Sequence, residues 1–336
     1  SHMGRPKGER VAKYSLTPVA GYLGEILGKP VTMAEDCVGP EAEKVVAAMQ
    51  DGDVVLLENL RYHAAEQAND PEFAKQLASL ADVYINDAFA VSHRSHASVT
   101  GVPANCSEKA AGFLLNKEME IFHNSVDDPR RPLVAIVGGA KVSGKLEALT
   151  NMLNKVDRML IGGAMANTFL KSQGYAVGAS KVEDDLLDNA RQLLADAAEK
   201  GVKIYLPVDV IAADAFAPDA VCKQVTIQDI PEGWMALDIG PASVTCFNEV
   251  LADAKTIIWN GPMGAFEMDA FSRGTMALAH TLASSHALSI TGGGDSNAAV
   301  RLSGEAENIS YMSTGGGAFL MLMEGKKLPG VTALEN

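Results

Sequence analysis

Five glycine-rich segments recur along the chain, each directly after a short apolar run. Glycine lets backbone N–H groups approach a phosphate, and a helix that begins at such a turn adds the positive end of its dipole. One such turn is more often only a tight connection, but tight connections alone do not require paired or triple glycines each time. The set therefore predicts a phosphate-binding site. The segments are Gly138–Lys145, Gly162–Ala164, Asn260–Glu267, Gly292–Ser296 and Ser313–Gly317.

Two lysines and one aspartate in these turns have the chemistry to bind nucleotide phosphates and magnesium. Lys141 and Lys145 lie four residues apart at a predicted helix start, so both can point to one side. Asp295 follows three glycines, where its carboxylate has room to reach a Mg²⁺ ion, which usually takes one or two protein carboxylates beside phosphate and water. The alternatives are a solvated pair of surface lysines, and a helix N-cap at Asp295 or at Ser296.

The segment Gly139–Lys145 also matches the G-x-x-x-x-G-K spacing of a P-loop. Leu146 follows it, at the position where that motif has a serine or threonine that ligates Mg²⁺. No convincing Walker B strand accompanies it. The match is therefore interpreted as accidental, although phosphate binding by the loop and a P-loop-like NTPase stay open as alternatives.

A second group of cations lies in the first third of the chain. Arg61 and Arg94 follow predicted strands and have histidines beside them, and His2 and Arg5 lie close to the start. Arginine suits bidentate recognition of carboxylate and phosphate, although a single arginine is more often a surface salt-bridge partner. In a chain of net charge −14 this cluster predicts a small anionic substrate.

The elements that must position these residues repeat as strand, glycine turn and amphipathic helix. The strands are rich in valine, isoleucine and leucine without clean alternation, as expected for strands buried on both faces. Such alternation of strand and helix predicts the α/β class, with parallel sheets and right-handed crossovers. The predicted strands are Val54–Leu57, Val83–Ile85, Leu133–Val137, Arg158–Ile161, Lys203–Leu206, Thr256–Trp259, Leu288–Thr291 and Ile309–Met312.

Length, composition and charge bound the remaining possibilities. A chain of 336 residues, 47% hydrophobic and 21% charged, is typical of a globular protein with two domains. Its acidic balance argues against nucleic acid and anionic membrane as partners. No apolar run is long enough to span a bilayer, and no signal peptide opens the sequence. The 4 cysteines are far apart and lack a Cys-x-x-Cys pair, which favours reduced thiols in a cytoplasmic protein over disulfides or a metal site.

In their order and spacing, seven segments resemble the phosphoglycerate kinase family, and the resemblance covers the whole chain. They are His2–Pro6, Leu57–Arg61, His93–His96, Gly138–Val142, Trp259–Pro262, Gly292–Asp295 and Ser313–Gly317. The resemblance implies a monomeric two-domain kinase with a deep cleft, each domain having a parallel, doubly wound sheet. It implies reversible phosphoryl transfer from 1,3-bisphosphoglycerate to ADP, giving 3-phosphoglycerate and ATP, with Mg²⁺ bound to the nucleotide.

The sequence itself predicts a domain boundary at 114–128, where an amphipathic helix runs into Pro129 and Pro132. The resemblance assigns a role to each side of that boundary. The phosphoglycerate-binding domain would span residues 1–113, with the tail 325–336 packed back on it. A hinge helix would span 114–128, and the nucleotide-binding domain 129–324. Splitting the two substrates between domains would require closure, which excludes water from a reactive acyl phosphate.

Residue roles follow from the motif match. The phosphoglycerate ligands would be His2, Arg5, Arg61 and Arg94. Catalysis would rest on Lys141, Arg94, Gly293 and Gly316. Asp295 would bind the metal, the Gly162–Ala164 turn would lie along adenine, and Glu267 would serve the ribose. The nucleotide ligands would be Gly139, Lys141, Lys145, Gly162, Gly163, Asn260, Glu267, Gly292, Gly293, Gly294, Asp295 and Ser296.

Departures from the family pattern lead to one further expectation. The family's opening Arg-Val-Asp-x-Asn-Val-Pro segment and a further arginine are not found. The resemblance therefore implies that the family's first several tens of residues, with about two strands, are missing, so that the N-terminal sheet is incomplete and turnover is reduced. A nucleotide-binding module without turnover is the alternative. Ala164 and Gly144 also depart from the family and look tolerable.

Domain closure is directly testable. We expect small-angle X-ray scattering to give a smaller radius of gyration when both substrates are present than when neither is. Profiles with and without the substrates that superimpose would rule closure out.

Overall fold

The structure is a computed structural model that describes residues 1–335. It divides into two compact units, each containing helices and parallel strands, so the predicted α/β class is confirmed. Unit 1 comprises residues 1–116 and the C-terminal segment from Lys327, and unit 2 comprises residues 117–326. No helix within the described residues is long and apolar enough to cross a membrane.

Strands and helices are numbered in chain order. The strands are β1 (Thr32–Met33), β2 (Val55–Leu56), β3 (Val83–Asn86), β4 (Glu108–Ala111), β5 (Leu133–Val137), β6 (Arg158–Ile161), β7 (Lys203–Tyr205), β8 (Asp209–Ala213), β9 (Cys222–Thr226), β10 (Met235–Ile239), β11 (Thr256–Asn260), β12 (Leu288–Thr291) and β13 (Tyr311–Met312). The α-helices are α1 (Thr17–Leu27), α2 (Pro40–Ala47), α3 (Ala64–Ala68), α4 (Pro71–Ala78), α5 (Val102–Ala104), α6 (Phe113–Phe122), α7 (Leu146–Met152), α8 (Met165–Ser172), α9 (Leu187–Glu199), α10 (Pro241–Leu251), α11 (Arg273–Ser284), α12 (Gly294–Leu302), α13 (Gly316–Met323) and α14 (Pro329–Glu335).

A six-stranded parallel sheet forms the centre of unit 2, in the order β13-β12-β11-β5-β6-β7. The middle strands β5 and β11 are buried along their whole length, which explains the unbroken apolar sequence of β5 and the apolar centre of β11. Trp259, Phe247 and Leu278 belong to the large core cluster beside the sheet. The predicted bounds of β5, β6 and β12 are confirmed, whereas β13 begins at Tyr311 and is shorter than predicted.

A second sheet in unit 2 was not predicted. It is antiparallel, in the order β10-β8-β9, and it packs on a small apolar cluster that includes Leu170, Val210 and Ile230. Most residues of β9 are exposed, so the strand has no apolar run that would signal it. Its importance lies in β10, which forms one wall of the cavity described below.

The strands of unit 1 form two separate parallel pairs, β1 with β2 and β3 with β4. Neither β1 nor β4 was predicted, because β1 has only 2 residues and β4 reads Glu-Lys-Ala-Ala. The core of this unit includes Cys37, Leu60 and Phe73. The helix α14 lies in the same unit, where the Gly330 N–H donates to the Ser92 carbonyl at 2.8 Å.

A buried carboxyl group joins β10 to α11. The Asp238 side chain accepts hydrogen bonds from the N–H of Ile239 at 2.9 Å and of Gly274 at 2.8 Å, and the residue is only 3% exposed. Burial raises the pKa of Asp238 to about 7, against the opposing effect of the two hydrogen bonds. The folded protein therefore keeps this proton at pH values where the unfolded chain has already lost it.

This difference in proton binding predicts a pH-dependent stability. Between about pH 4 and about pH 7 the free energy of unfolding should fall as the pH rises, because the unfolded chain ionises first. Asp238→Asn cannot ionise. As the pH rises through this range, its free energy of unfolding relative to the wild type should therefore increase by about 1.4 kcal/mol for each pKa unit of the shift. Urea unfolding followed by the fluorescence of Trp234 and Trp259, both in unit 2, measures this.

Asp185→Asn, at an exposed position of the same unit, is the control and should keep the wild-type slope. If the free energy of unfolding of Asp238→Asn changes with pH as steeply as that of the wild type, Asp238 is not the group that causes the pH dependence.

Candidate functional site

The carboxyl ends of five strands meet at one edge of the six-stranded sheet. Asn260 lies opposite Val137, Val137 opposite Ile161, and Thr291 opposite both Trp259 and Met312. The five predicted glycine-rich turns follow these strand ends, and they therefore lie side by side. This is the edge at which open α/β sheets bind their ligands.

The turns pack against one another backbone to backbone. A Cβ atom on Gly138 would lie 2.0 Å from the Pro262 carbonyl oxygen, and one on Gly163 would lie 2.5 Å from the Gly139 nitrogen. One on Gly316 would lie 2.8 Å from the Gly293 Cα atom. These glycines are thus required by contacts between turns, a reason additional to phosphate approach. The packing also places Gly293 beside Gly316, two of the predicted catalytic residues.

Three polar side chains tie the turns together. The Lys145 ammonium donates to the Gly138 carbonyl at 2.7 Å and to the Asn260 carbonyl at 2.8 Å. The Asn260 amide donates to the Gly292 carbonyl at 2.8 Å. The Ser296 hydroxyl accepts from the Gly261 N–H at 2.6 Å and donates to the Gly292 carbonyl at 3.1 Å. Three predicted ligands therefore also fix the shape of the site.

The two lysines of the first turn differ in environment, so they are not a pair of solvated surface lysines. Lys141 is exposed, whereas burial lowers the pKa of Lys145 to about 8, with the Asp295 carboxylate opposing this. An ammonium has three N–H donors, and the two carbonyls occupy two of them. A partly desolvated cation with a further donor suits an anionic ligand.

Glu183 braces the same turn from outside. Its carboxylate accepts from the Ser143 N–H at 3.0 Å and from the Ser143 hydroxyl at 2.5 Å. Burial raises the pKa of Glu183, but the Ser143 hydrogen bonds and the nearby Lys141 ammonium outweigh it and lower the pKa overall. The carboxylate stays ionised and holds the turn between Gly138 and Lys145.

Asp295 is exposed in the first turn of α12. The cap of this helix is Gly293, with no side-chain cap hydrogen bond, so neither Asp295 nor Ser296 is the N-cap. The Asp295 side chain thus has no capping role and lies where it can interact with Lys145.

A cavity of about 520 Å³ opens beside these turns. Apolar side chains form one wall, and Lys181, Glu267 and Asp295 add charge. The size and mixed lining suit a small molecule with apolar and anionic parts. From the predicted turns the lining includes Gly139, Gly163, Ala164, Glu267 and Asp295. The lining that sequence reasoning missed includes Ala179, Lys181, Phe216, Met235, Ala236 and Leu237.

The last turn is anchored by a residue of α6. Glu118 is 2% exposed, and its carboxylate accepts from both the N–H and the hydroxyl of Thr314, each at 2.7 Å. This contact fixes the turn that carries Gly316. The sequence offered no signal for it, since the two residues are 196 positions apart.

Unit 1 contains the second predicted site, which we call the cationic cluster: His2, Arg5, Arg61, His93, Arg94 and His96. Arg61 is 6% exposed and donates from Nη1 to the Gly4 carbonyl at 3.1 Å. Its buried Nε has no hydrogen-bond partner within residues 1–335. Asn59 shapes the turn by accepting from the Arg61 N–H at 3.0 Å and donating to the Met3 carbonyl at 2.8 Å.

The electrostatics show that these cations act on one another. Although His2 reaches the surface, partial burial and then the Arg61 and Arg94 guanidiniums lower its pKa to about 4. Burial and then Arg94 lower the pKa of Arg61, and the buried Glu66 carboxylate offsets this only in part. Excess positive charge beside an unpartnered donor favours an anionic ligand. The structure thus brings His2, Arg5, Arg61 and Arg94 together.

Comparison with known proteins shows the family to which the chain belongs. The model of the family described as phosphoglycerate kinase matches residues 1–326. A phosphoglycerate kinase from Desulfotalea psychrophila is 66% identical over 335 residues, which cover 100% of this chain and 86% of the relative. One from Geotalea uraniireducens is 60% identical, covering 100% and 84%.

Solved structures are similar in fold as well. Phosphoglycerate kinase from Coxiella burnetii has a TM-score of 0.90 at 43% identity, covering 100% of this chain and 85% of its own. That from Pyrococcus horikoshii has a TM-score of 0.84 at 30% identity, covering 99% and 85%.

The Glu183 contact predicts how firmly the first glycine turn is held. Glu183→Ala removes the acceptor of two Ser143 hydrogen bonds, and hydrogen bonds to charged groups contribute about 1.5–3 kcal/mol. We expect amide hydrogen exchange over residues 139–145 to become faster by about 10-fold or more, measured by mass spectrometry.

Glu199→Ala, on the exposed face of α9, is the matched control and should leave exchange in this turn unchanged. Equal exchange in Glu183→Ala and the wild type would contradict a bracing role.

Proposed function

Because this chain belongs to the phosphoglycerate kinase family, we propose that it transfers a phosphoryl group reversibly between 1,3-bisphosphoglycerate and ADP. The products are 3-phosphoglycerate and ATP. The family carries out reversible phosphoryl transfer in glycolysis. The observation that carries the proposal is the unit 2 cavity, where an apolar wall faces packed glycine turns and three charged side chains.

The apolar wall of the cavity suits a nucleotide base. Met235, Ala236 and Leu237 offer contact surface without charge, and the turn at Gly163 and Ala164 lies in the same lining. Glu267 is exposed in that lining and would accept hydrogen bonds from the ribose hydroxyls. The base and sugar would therefore occupy the side of the cavity formed by β10.

The glycine turns would hold the nucleotide phosphates. Lys145 would use the N–H that its two carbonyl bonds leave over. The Ser296 hydroxyl is already engaged, so its contribution would come from its backbone N–H in the first turn of α12, where helices leave N–H groups without intrahelical partners. Asn260 would act by holding the Gly292 carbonyl and hence the turn.

Asp295 fits a magnesium site. Its carboxylate is exposed in the cavity lining and is not used as a cap, and Mg²⁺ bound to nucleotide phosphates commonly takes one protein carboxylate. When bound, Mg²⁺ neutralises phosphate charge. The second ligand would be held by the cationic cluster, where the unpartnered Nε of Arg61 offers a donor to a phosphate or carboxylate.

The chemical step needs alignment and charge neutralisation. A β-phosphate oxygen of ADP attacks the phosphorus atom of the acyl phosphate and forms a new P–O bond. The bond between that phosphorus and the acyl oxygen breaks, and 3-phosphoglycerate leaves as a carboxylate. Lys141, exposed on the braced first turn, would stabilise the charge on the phosphoryl group in transfer. The N–H groups near Gly293 and Gly316 would add donors beside it, and no covalent enzyme intermediate is needed.

The other candidates have less support. A P-loop-like NTPase would need a hydroxyl at Leu146, and Lys145 already donates to two carbonyls. Leu146→Ser should therefore not increase ATP hydrolysis. A nucleotide-binding module without turnover is distinguished by a coupled assay with both substrates.

Reduced turnover, a monomeric state, a cytoplasmic location and the hinge role of residues 114–128 stay predictions. The coupled assay tests the turnover, sedimentation tests the monomeric state, and the scattering comparison tests the hinge.

Nucleotide binding tests the proposal most directly. Titration calorimetry should show MgADP binding to the wild type. Asp295→Asn should weaken it by about 10-fold or more, because an amide is a poorer Mg²⁺ ligand than a carboxylate. Without Mg²⁺ the variant should bind ADP at least as tightly as the wild type, because it lacks a carboxylate that repels the phosphates. Asp185→Asn, outside the cavity lining, is the control; an Asp295→Asn variant with wild-type affinity for MgADP would contradict the metal role.

The lowered pKa of Lys145 adds a proton signature. At pH 8 this ammonium is about half deprotonated, and phosphates beside it would raise its pKa, so binding should take up about half a proton. Calorimetry in two buffers of different ionisation enthalpy measures the uptake. Lys145→Arg stays charged and should abolish it; uptake that persists in this variant would assign the proton to another group.

A further inference from the structure

A third cluster of polar side chains lies in unit 1, outside both sites described above. It consists of Asp36, Cys37 and His63, each of which has one atom that can bind a metal ion. A carboxylate oxygen, the thiol sulfur and a ring nitrogen all lie within 4.8 Å of one another. We propose that this trio binds a divalent transition-metal ion, with Zn²⁺ as the best fit. The three residues are called the Asp-Cys-His trio below.

The geometry allows an ion to enter from solvent. Cys37 is 0% exposed, whereas the side chains of Asp36 and His63 are 38% and 31% exposed. The thiol thus forms the floor of the site, and the other two ligands form its rim. Tetrahedral zinc ligands lie about 3.3–3.8 Å apart, given bonds of about 2.0–2.3 Å. The Asp-Cys-His trio needs only modest side-chain rotation, chiefly to widen the 2.6 Å contact between Asp36 Oδ1 and His63 Nε2.

The donor set selects the class of ion. Sulfur with imidazole nitrogen suits zinc and its neighbours, whereas Mg²⁺ and Ca²⁺ prefer oxygen ligands throughout. A thiolate, a carboxylate and a neutral imidazole together carry a charge that one divalent cation cancels. Neutrality matters because Cys37 belongs to the apolar cluster with Leu60 and Phe73, where an unbalanced charge would be costly.

The surroundings already hold the ligands in place. The His63 ring packs on Phe73 with centroids 5.2 Å apart, and the Asp36 carboxylate accepts from the Cys37 N–H at 2.6 Å. Three protein ligands would leave a fourth position for water, as in open zinc sites.

A bound ion would be connected to the cationic cluster of unit 1 through the main chain. His63 directly follows the short turn Leu60–Tyr62, which carries Arg61, and Asp36 lies shortly after β1. The ion would therefore link the end of β1 to the turn that positions Arg61. Without an ion, the same residues make only a His–Asp hydrogen bond above a buried thiol, and this is the competing explanation.

Cobalt is the probe that separates the two explanations, because a Co²⁺–thiolate bond gives a near-ultraviolet charge-transfer band. The whole chain of 336 residues, stripped of metal by a chelator and free of any affinity tag, is titrated with Co²⁺. We expect one equivalent to bind with this band, and Zn²⁺ to displace it. Cys37→Ser should abolish the band, and Cys222→Ser, at an exposed cysteine of unit 2, should keep it.

Two further variants keep the test decisive if Cys37→Ser folds poorly. Asp36→Asn and His63→Gln should each weaken Co²⁺ binding by more than about 10-fold, the lower end of what loss of even an outer-shell partner costs. Zn²⁺ should raise the melting temperature of the wild type and of Cys222→Ser, and less that of these two variants. A wild type without the band, or a band that survives in folded Cys37→Ser, would overturn the proposal.

Discussion

The candidate site of unit 2 depends on one half-buried cation, Lys145. The Lys145 ammonium donates to the carbonyls of Gly138 and Asn260, which end two adjacent strands of the parallel sheet. The Asn260 carbonyl also accepts the Gly138 N–H at 3.0 Å, so Lys145 reinforces a contact that already joins the two strand ends. The lysine also brings its charge to the edge at which open α/β sheets bind their ligands. The Lys145 Nζ atom therefore both holds the two turns together and carries positive charge at the site. Burial lowers the pKa of this ammonium to about 8.

Around that cation, the glycine turns are held in place mainly by contacts with one another, and less by side chains that point into the site. Asn260 and Ser296 have the residue types of phosphate ligands, but their side chains hold the neighbouring turns. Glu183 and Glu118 do the same from outside, each accepting two hydrogen bonds from one residue of a turn. A preorganised frame of this kind suits phosphoryl transfer, in which positioned donors and charges lower the barrier.

The large sheet and the location of the site were predictable because their signals are local. Strands such as Leu133–Val137 are buried on both faces, so they read as apolar runs, and each ends at glycines. The antiparallel sheet was missed because the exposed strand Cys222–Thr226 has no such run, and the cavity wall at Met235–Leu237 was lost with it. Contacts such as Glu118 with Thr314 join residues distant in the chain, and no local pattern encodes them. The glycines themselves were recognisable, whereas the packing between turns that requires several of them was not.

That packing has a consequence for how such a site can evolve. Gly138 contacts Pro262 and Gly163 contacts Gly139, so a single added methyl group would displace two turns at once. Even the smallest substitution at these glycines would therefore disrupt the site. The opposite wall is built differently, since Phe216 is exposed and Met235 and Ala236 present ordinary side chains. We therefore expect divergence in ligand preference to be concentrated on that wall, and the half built from glycine turns to tolerate little change.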